Sequence, residues 1–342
     1  MSSIKNILVT GGAGFVGSNL CRHLVTSGSI VDCVDNLITG REESISDLMD
    51  YNSFQFIKKD ITDSDFVSIF KQNNYDEIFH LACPTGVPNI GRLAEEMLIT
   101  CSKGTDNVLT LARLCNAKLV YTSSAEVYGD PKVFPQTESY NGDVDPVGPR
   151  SAYEEGKRFS EALVSMYVKK YGVDAEIVRL FNTFGSGMSP DDTRVIPQFF
   201  KKIRLGENIV IYGDGNQTRA HMHVKDLVRG LVLVTAKGTP GDVYNIGGSK
   251  QMTIKQLAEL IDSLTSSTVN IEYRPHFIED HGGRLPDTNR IQSLGWKPVV
   301  SIAEGLLEMM PGHGVPINKN IENMSKVYTG QFDQNICFEP LL

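Results

Sequence analysis

Tyr153 and Lys157 lie four positions apart in the segment S-A-Y-E-E-G-K, residues 151–157. The segment leads into a helical pattern over 158–171, and residues at i and i+4 share one helix face. An ammonium about 4 Å from a phenol stabilises the phenolate by about 4 kcal/mol at an effective dielectric of about 20. We therefore expect the pKa of Tyr153 to fall from about 10 toward about 7. Such a phenol can remove a hydroxyl proton while hydride leaves the same carbon. The helical spacing alone equally describes an exposed surface pair.

A serine stands at a position where it could assist this base. Ser124 lies 29 residues before Tyr153, in the stretch Y-T-S-S-A-E-V-Y-G-D that ends the fifth predicted strand. The carboxyl edge of a parallel sheet is where ligands bind. A hydroxyl there can share the proton of a substrate hydroxyl and orient it toward the tyrosine, so Ser124 joins the candidate site. Glu126 follows it on the same edge.

A glycine-rich loop provides the second chemical signal. The segment N-I-L-V-T-G-G-A-G-F-V-G places Gly11, Gly14 and Gly17 between a predicted strand and a predicted helix, as a pyrophosphate site requires. Asp35 follows 18 residues after Gly17 and suits a ribose diol, which favours NAD over NADP. The alternative is a glycine-rich turn with a solvated aspartate. The predicted cofactor residues are Gly11, Gly14, Phe15, Val16, Gly17, Asp35, Asn36, Asp60, Ile61, Leu81 and Ala82, with Tyr153 and Lys157.

The elements that must position these residues alternate along the first half of the chain. Apolar runs at 6–10, 30–34, 54–57, 77–82, 118–122 and 175–181 are separated by helical patterns. This alternation predicts an α/β fold with a Rossmann-type doubly wound parallel sheet. Beyond about 185 the pattern loosens into a smaller C-terminal substrate-binding lobe. We predict an NAD-binding domain over 1–185 with about 224–247, a sugar-nucleotide lobe over 186–223 and 248–311, and a tail over 312–342 without a functional interpretation.

Composition excludes several classes of function. The net charge is −8 and no basic block occurs, so we expect no nucleic-acid partner. No apolar run reaches 18 residues and the amino terminus lacks a signal-peptide pattern, so we expect no membrane span and a cytoplasmic location. Six scattered cysteines without C-x-x-C, and seven histidines without H-x-x-x-H, suit a reducing compartment and predict no metal site.

Taken together, the loop T-G-G-A-G-F-V-G, Ser124, and Tyr153 with Lys157 resemble the extended short-chain dehydrogenase/reductase superfamily, over about residues 5–310. Within it the chain is most similar to the UDP-glucuronate decarboxylase family. The similar segments are E-V-Y-G-D-P, G-P-R-S-A-Y-E-E-G-K-R, R-L-F-N-T-F-G, D-D-T-R-V-I-P-Q-F, Y-G-D-G-N-Q-T-R and L-G-W-K-P-V-V.

The resemblance implies roles by position. Ser124, Tyr153 and Lys157 match the catalytic triad, and Glu126 and Arg284 match an active-site carboxylate and an arginine near the sugar. Substrate binding is implied for Pro84, Asn182, Arg194, Tyr212, Arg219 and Arg284. Arginines suit diphosphate oxygens. The alternatives are surface charges for Arg194 and Arg219, a structural acceptor for Glu126, and a loop ion pair for Arg284.

The activity implied is decarboxylation of UDP-glucuronate to UDP-xylose through a 4-keto sugar, with NAD regenerated in the site. Ala125 stands where 4,6-dehydratases carry an aspartic acid, which disfavours dehydration. A UDP-sugar or UDP-uronate 4-epimerase uses the same triad and remains an alternative. A non-catalytic NAD-binding protein is a third interpretation, although binding alone would not require the triad.

Departures from the family pattern surround the sugar. The family has a Tyr-x-Tyr-Asn-Pro-like stretch where this chain has I-G-R-L-A, so Arg92 either replaces a lost contact or is an ordinary exposed charge. Cys101 occupies the position of an asparagine, and an arginine is missing from the stretch G-S-G-M at 185–188. Two long amphipathic helices, about 93–115 and 153–171, resemble those that form a four-helix contact, which implies a homodimer.

Overall fold

Strands and helices alternate along the chain in the computed structural model, which describes residues 4–275, 283–319 and 321. The strands are β1 Asn6–Thr10, β2 Ile30–Asp35, β3 Phe54–Lys58, β4 Glu77–His80, β5 Lys118–Ser124, β6 Ala175–Leu180, β7 Thr183–Phe184, β8 Ile209–Tyr212, β9 Thr218–Ala220, β10 Met222–His223, β11 Val243–Ile246, β12 Gln251–Thr253 and β13 Ile271–Arg274. The helices are α1 Phe15–Thr26, α2 Phe66–Phe70, α3 Val87–Arg92, α4 Ala94–Ile99, α5 Thr105–Cys115, α6 Ser151–Tyr171, α7 Val195–Arg204, α8 Val224–Lys237, α9 Ile254–Leu264, α10 Asn289–Ser293 and α11 Ile302–Met309.

The main sheet is parallel throughout. Its strand order is β11-β6-β5-β4-β1-β2-β3. The order reverses between β1 and β4, and ligands of doubly wound sheets bind at the carboxyl ends of the strands at such a switch point. The predicted fold class, a doubly wound Rossmann-type sheet, is confirmed.

Two hydrophobic layers cover the faces of this sheet. On one face Leu20 of α1 packs in the same cluster as Leu227 and Leu231 of α8, and on the other Val108 of α5 packs with Val164 of α6. Strands covered on both faces are apolar in every position rather than alternating, which explains the continuous run I-L-V in β1. The two layers hold the strands in place, so that β1, β4 and β5 end at the same edge of the sheet.

The C-terminal lobe has its own apolar cluster. Phe200 of α7, Ile261 of α9 and Leu306 of α11 are buried together, with the strand pairs β8–β13 and β9–β12 beside them. β11 returns to the main sheet beside β6, although it follows the first strands of the lobe in the sequence. Residues of this lobe and residues at the carboxyl ends of the strands line one cleft, so the lobe faces that edge of the sheet.

Several local features differ from the sequence expectation. β5 extends to Ser124, so this serine ends the strand itself. The predicted helix over 93–115 is divided into α4, a π-helical segment Thr100–Gly104 and α5. Of the predicted tail, Ile317 forms an isolated bridge with Thr265, and residues 320 and 322–342 lie outside the described residues, as do 276–282.

Candidate active site

The glycine-rich loop is shaped by contacts that only glycine permits. Gly11 has a φ of +71°, and a Cβ added there would meet the backbone nitrogen of Ala82 at 2.7 Å. A Cβ added at Gly17 would meet the Gly11 carbonyl oxygen at 2.2 Å. The loop therefore packs closely against the chain after β4 and opens directly into α1, whose first N–H groups are oriented to bind an anion.

Asp35 closes β2 at the side of this loop. Its carboxylate is buried and accepts hydrogen bonds from the backbone nitrogens of Ala13 at 3.0 Å and Leu37 at 2.8 Å. Burial raises the pKa of Asp35 while these two bonds lower it. A carboxylate held in this way accepts hydrogen bonds from a ribose diol and repels a 2′-phosphate. Beside it Asn36 donates to Asp60 at 2.7 Å, which aligns the ends of β2 and β3.

One cleft of about 1160 Å³ joins the sheet edge to the C-terminal lobe. It exceeds the usual volume of a site for one small ligand, and it suits a dinucleotide with a second nucleotide. The predicted residues that line it are Gly11, Gly14, Phe15, Val16, Gly17, Asp35, Asn36, Asp60, Ile61, Leu81, Ala82, Pro84, Ser124, Glu126, Tyr153, Lys157, Asn182, Arg194, Tyr212, Arg219 and Arg284.

Tyr153 and Lys157 lie in the first two turns of α6, where they face the end of β5. Lys157 is 3% exposed, and its Nζ donates to the carbonyl oxygen of Thr122 at 2.9 Å and lies 5.0 Å from the centre of the Tyr121 ring. Ser124 lies beside Tyr153 and lowers the pKa of that phenol. The three predicted side chains therefore meet at one point of the cleft wall.

The expected acidity of Tyr153 is wrong in direction. Burial raises its pKa to about 12, and the lowering by Lys157 and by Ser124 only partly offsets that burial. The sequence spacing shows the neighbouring charge but not the loss of water around the phenol, which disfavours the phenolate. Tyr153 lies where it could accept a proton from a ligand in the cleft. Lowering its pKa requires further positive charge near the phenol.

Glu126 lies between two arginines. Arg284 Nη1 is 3.0 Å from Glu126 Oε1, and Arg150 Nη2 is 2.5 Å from Glu126 Oε2. Arg150 also contacts Glu154 at 3.3 Å, and burial followed by the charge of Glu126 raises the pKa of Glu154. Arg284, a loop residue of the C-terminal lobe, is thus paired with Glu126, which lies two residues beyond the end of β5. Arg150 is absent from the residues predicted for the site, although it belongs to the similar segment G-P-R-S-A-Y-E-E-G-K-R, which is the signal that could have indicated it.

The lobe lines the opposite wall with polar side chains. Arg194 pairs with Asp192 at 2.7 Å and stacks 5.3 Å from the centre of the Phe15 ring, which links α7 to the glycine-rich loop. Arg219 donates to the carbonyl oxygen of Thr218 at 2.9 Å. These guanidinium groups supply local positive charge within an acidic protein.

Arg92 is the one predicted site residue that does not line the cleft. Its side chain is exposed and donates to Asn89 Oδ1 at 2.7 Å. Asn89 itself lines the cleft. Any effect of Arg92 on a ligand would therefore pass through Asn89.

Within the described residues, no three histidine, cysteine, aspartate or glutamate side chains are grouped so that they could hold a metal ion. No helix in that same part of the chain is long and apolar enough to cross a membrane.

Comparisons with known proteins agree with this geometry. Residues 7–247 match the model of the NAD dependent epimerase/dehydratase family. The chain is 41% identical over 303 residues to UDP-glucuronic acid decarboxylase 1 of Danio rerio, covering 88% of this chain and 71% of that protein. Among solved structures, UDP-glucose 4-epimerase of Thermotoga maritima superposes with a TM-score of 0.82 at 29% identity, covering 90% of this chain and 97% of the other. For UDP-glucuronic acid 4-epimerase of Bacillus cereus the TM-score is 0.78 at 26% identity, with 90% and 98% covered.

The family model matches most of the sheet, one relative is 41% identical, and the cleft begins at a glycine-rich loop. The chain therefore belongs to the NAD dependent epimerase/dehydratase family and is an NAD-dependent enzyme.

Proposed function

We propose that this enzyme decarboxylates UDP-glucuronate to UDP-xylose through a 4-keto sugar. The observation that carries the proposal is the buried guanidinium of Arg284, 8% exposed, beside Glu126 at the same end of the cleft as Tyr153. A sugar that bears a carboxylate needs a cation at that end, whereas a neutral hexose does not. The 41% identity to a UDP-glucuronic acid decarboxylase supports the same substrate.

The reaction begins with removal of the C4 hydroxyl proton. Tyr153 accepts this proton, Ser124 beside the phenol orients the substrate hydroxyl, and Lys157 stabilises the phenolate from within the protein. NAD, when bound, accepts hydride from C4, returns it at the end of the cycle and adds positive charge that favours the phenolate. The glycine-rich loop and Asp35 are the residues that would hold it.

The ketone at C4 stands β to the carboxylate at C6, so the electrons left by departing carbon dioxide enter an enolate. Arg284 would bind the carboxylate, and Glu126 competes for the same guanidinium. Because of this competition, Arg284 binds the substrate carboxylate only weakly. The bound carboxylate is then not stabilised against departure as carbon dioxide. A proton at C5 and hydride at C4 then complete UDP-xylose. Ala125 offers no acid for the competing loss of a hydroxyl.

The rest of the substrate would lie along the C-terminal lobe. Asn182, Arg194, Tyr212 and Arg219 line that wall and would hold the diphosphate and the base, with Pro84 on the opposite side. Arg194 would exchange part of its pairing with Asp192 for diphosphate oxygens. We assign 1–185 with about 224–247 to NAD binding, and 186–223 with 248–311 to nucleotide-sugar binding.

Incubation with UDP-glucuronate, followed by NMR of the sugar and measurement of carbon dioxide, tests the proposal. UDP-xylose with an equal amount of carbon dioxide is the expected result. UDP-galacturonate without carbon dioxide would instead assign a 4-epimerase, the activity named for the solved Bacillus cereus relative. Absence of turnover with bound NAD would overturn both.

The proposed assembly is a homodimer formed through α4 and α6. These helices pack beside each other and expose Leu98, Ile99, Phe159 and Met166, each at least 37% exposed. Paired apolar helix faces in a second copy would cover this surface.

The free thiols of the described residues suit a reducing cytoplasm, where we propose that the enzyme acts.

A further inference from the structure

Two cysteines meet in the wall of the cleft, beside the proposed base. Cys83 Sγ lies 3.7 Å from Cys101 Sγ. Cys83 follows β4 and lines the cleft, whereas Cys101 is 2% exposed within the π-helical segment Thr100–Gly104. π-Helical turns are rare and are frequent at functional sites. The proposed reaction uses neither thiol.

The packing around Cys101 brings its sulfur against the catalytic helix. Ser160 Oγ donates to the Cys101 carbonyl oxygen at 2.6 Å, and a Cβ added at Gly156 would meet Cys101 Sγ at 3.3 Å. Gly156 precedes Lys157, so the sulfur pair lies next to the buried ammonium. The hydrogen bond from Cys83 lowers the pKa of Cys101, burial opposes this, and the Lys157 charge lowers it further. The more buried sulfur is therefore the favoured thiolate.

We propose that Cys83 and Cys101 form a reversible disulfide and that a peroxide switches the enzyme off through it. This proposal concerns control of the proposed reaction, and its activity readout rests on the proposed function. Disulfides of reducing compartments are usually transient and redox-sensing. An accessible sulfur beside a second, resolving thiol is the usual arrangement of such a pair.

The chemistry balances with a peroxide as the oxidant. At rest the one proton of the pair lies on Cys83. It passes to the Cys101 thiolate as Cys83 Sγ attacks a peroxide oxygen, so that an S–O bond forms and the O–O bond breaks. The hydroxide that leaves takes the shared proton from Cys101 and becomes water. The Cys101 thiolate then attacks the Cys83 sulfur, the S–S bond forms, the S–O bond breaks and a second hydroxide leaves. A thiol reductant reverses the change.

The bond would disturb the cleft because the sulfurs must come closer than 3.7 Å to form it. The chain after β4 has little freedom to follow, since Ala82 already contacts Gly11 of the cofactor loop closely. A displacement of about 1 Å in a catalytic site can reduce turnover about a hundredfold. We therefore expect oxidation to lower turnover at least about tenfold.

The test treats the full-length enzyme with hydrogen peroxide, then maps peptides by mass spectrometry and measures turnover before and after reduction with dithiothreitol. A Cys83–Cys101 linked peptide, loss of activity and recovery on reduction are expected. Each variant is compared with its own reduced form. Cys101→Ser should resist inactivation, whereas Cys115→Ser, which removes a thiol at the end of α5, should respond like the wild type.

Absence of the linked peptide in the wild type, or a linked peptide with unchanged turnover, would overturn the proposal, and neither result depends on a variant that folds. If the reduced enzyme does not act on UDP-glucuronate, the proposed function fails. In that case, peptide mapping and the NAD affinities of the oxidised and reduced enzyme test the disulfide switch independently of the reaction. Oxidation should weaken NAD binding, because Ala82, next to Cys83, lies against Gly11 of the cofactor loop.

Discussion

Arg284 Nη1 lies 3.0 Å from Glu126 Oε1, so the C-terminal lobe places a buried cation beside a carboxylate two residues beyond the end of β5. We predict that Arg284→Met lowers turnover of UDP-glucuronate about 10–100-fold, because it removes the proposed cation for the C6 carboxylate and a hydrogen bond to a charged group contributes about 1.5–3 kcal/mol. Steady-state kinetics with carbon dioxide detection measures the change.

Arg290→Met is the matched control. Arg290 belongs to the same segment, is more than a third exposed and contacts Asp242 at 3.6 Å. It should leave turnover within about twofold, because an exposed ion pair contributes about 0–1 kcal/mol. Equal losses in the two variants would mean that Arg284 acts only by holding the fold.

A substitution at Tyr153 tests whether its hydroxyl group accepts the substrate proton. Tyr153→Phe retains the ring and removes the hydroxyl, so we predict a loss of turnover of about 10²–10⁴-fold. NAD affinity measured by calorimetry should change little, because the glycine-rich loop and Asp35 remain. Tyr171→Phe at the far end of the same helix, where the side chain is 40% exposed, should behave like wild type. Full activity of Tyr153→Phe would assign the acceptor role to another group.

The sequence was sufficient for the fold because strand-forming apolar runs and helical spacing are local properties. It placed β1 at its observed bounds, and the glycine-rich loop after β1. What it missed depends on the environment that distant segments create. The burial that raises the pKa of Tyr153 and the arginine pair around Glu126 arise only after β5, α6 and the lobe come together.

Arg92 and Cys101 illustrate the same limit. Position in the sequence put Arg92 near the substrate, but the short helix α3 turns its side chain outward, toward Asn89 and solvent. In the sequence Cys101 is only a departure from an expected asparagine, because the π-helical segment that brings its sulfur to Cys83 has no signature in spacing.

The buried His80 makes the free energy of unfolding depend on pH in the acid range. It is fully buried and bonds to Thr10 at 2.8 Å and Thr105 at 3.1 Å, and burial, aided by the charge of Lys157, lowers its pKa to about 3. The unfolded chain binds this proton near pH 6.5, so the free energy of unfolding falls as pH drops below 6.5 toward 3. At pH 5 the loss is about 2 kcal/mol.

Urea unfolding at pH 7 and pH 5 measures this contribution. His80→Gln lowers stability at both values, and its additional loss at pH 5 should be about 2 kcal/mol smaller than that of the wild type. An identical pH dependence in the two proteins would show that His80 is protonated in the folded state.

The proposed dimer predicts that charge on α6 separates the subunits. Phe159→Glu places a carboxylate on the apolar face formed with Leu98, so light scattering should give half the mass of the wild type. Ile69→Glu changes an equally exposed apolar residue on α2 and should leave the mass unchanged. A wild-type protein that is already monomeric at micromolar concentration would refute the assembly.

We predict that Asp35 sets the choice between NAD and NADP. Asp35→Asn keeps an acceptor for Ala13 N but removes the charge, so NAD should bind about tenfold more weakly, because hydrogen bonds to charged groups contribute about 1.5–3 kcal/mol. The repulsion of a 2′-phosphate disappears with the charge, so the ratio of the Kd for NADP to that for NAD should fall. Calorimetry with both dinucleotides gives this ratio, and Asp50→Asn, an exposed acid outside the cleft lining, should leave it unchanged. An unchanged ratio in Asp35→Asn would place the ribose elsewhere in the cleft.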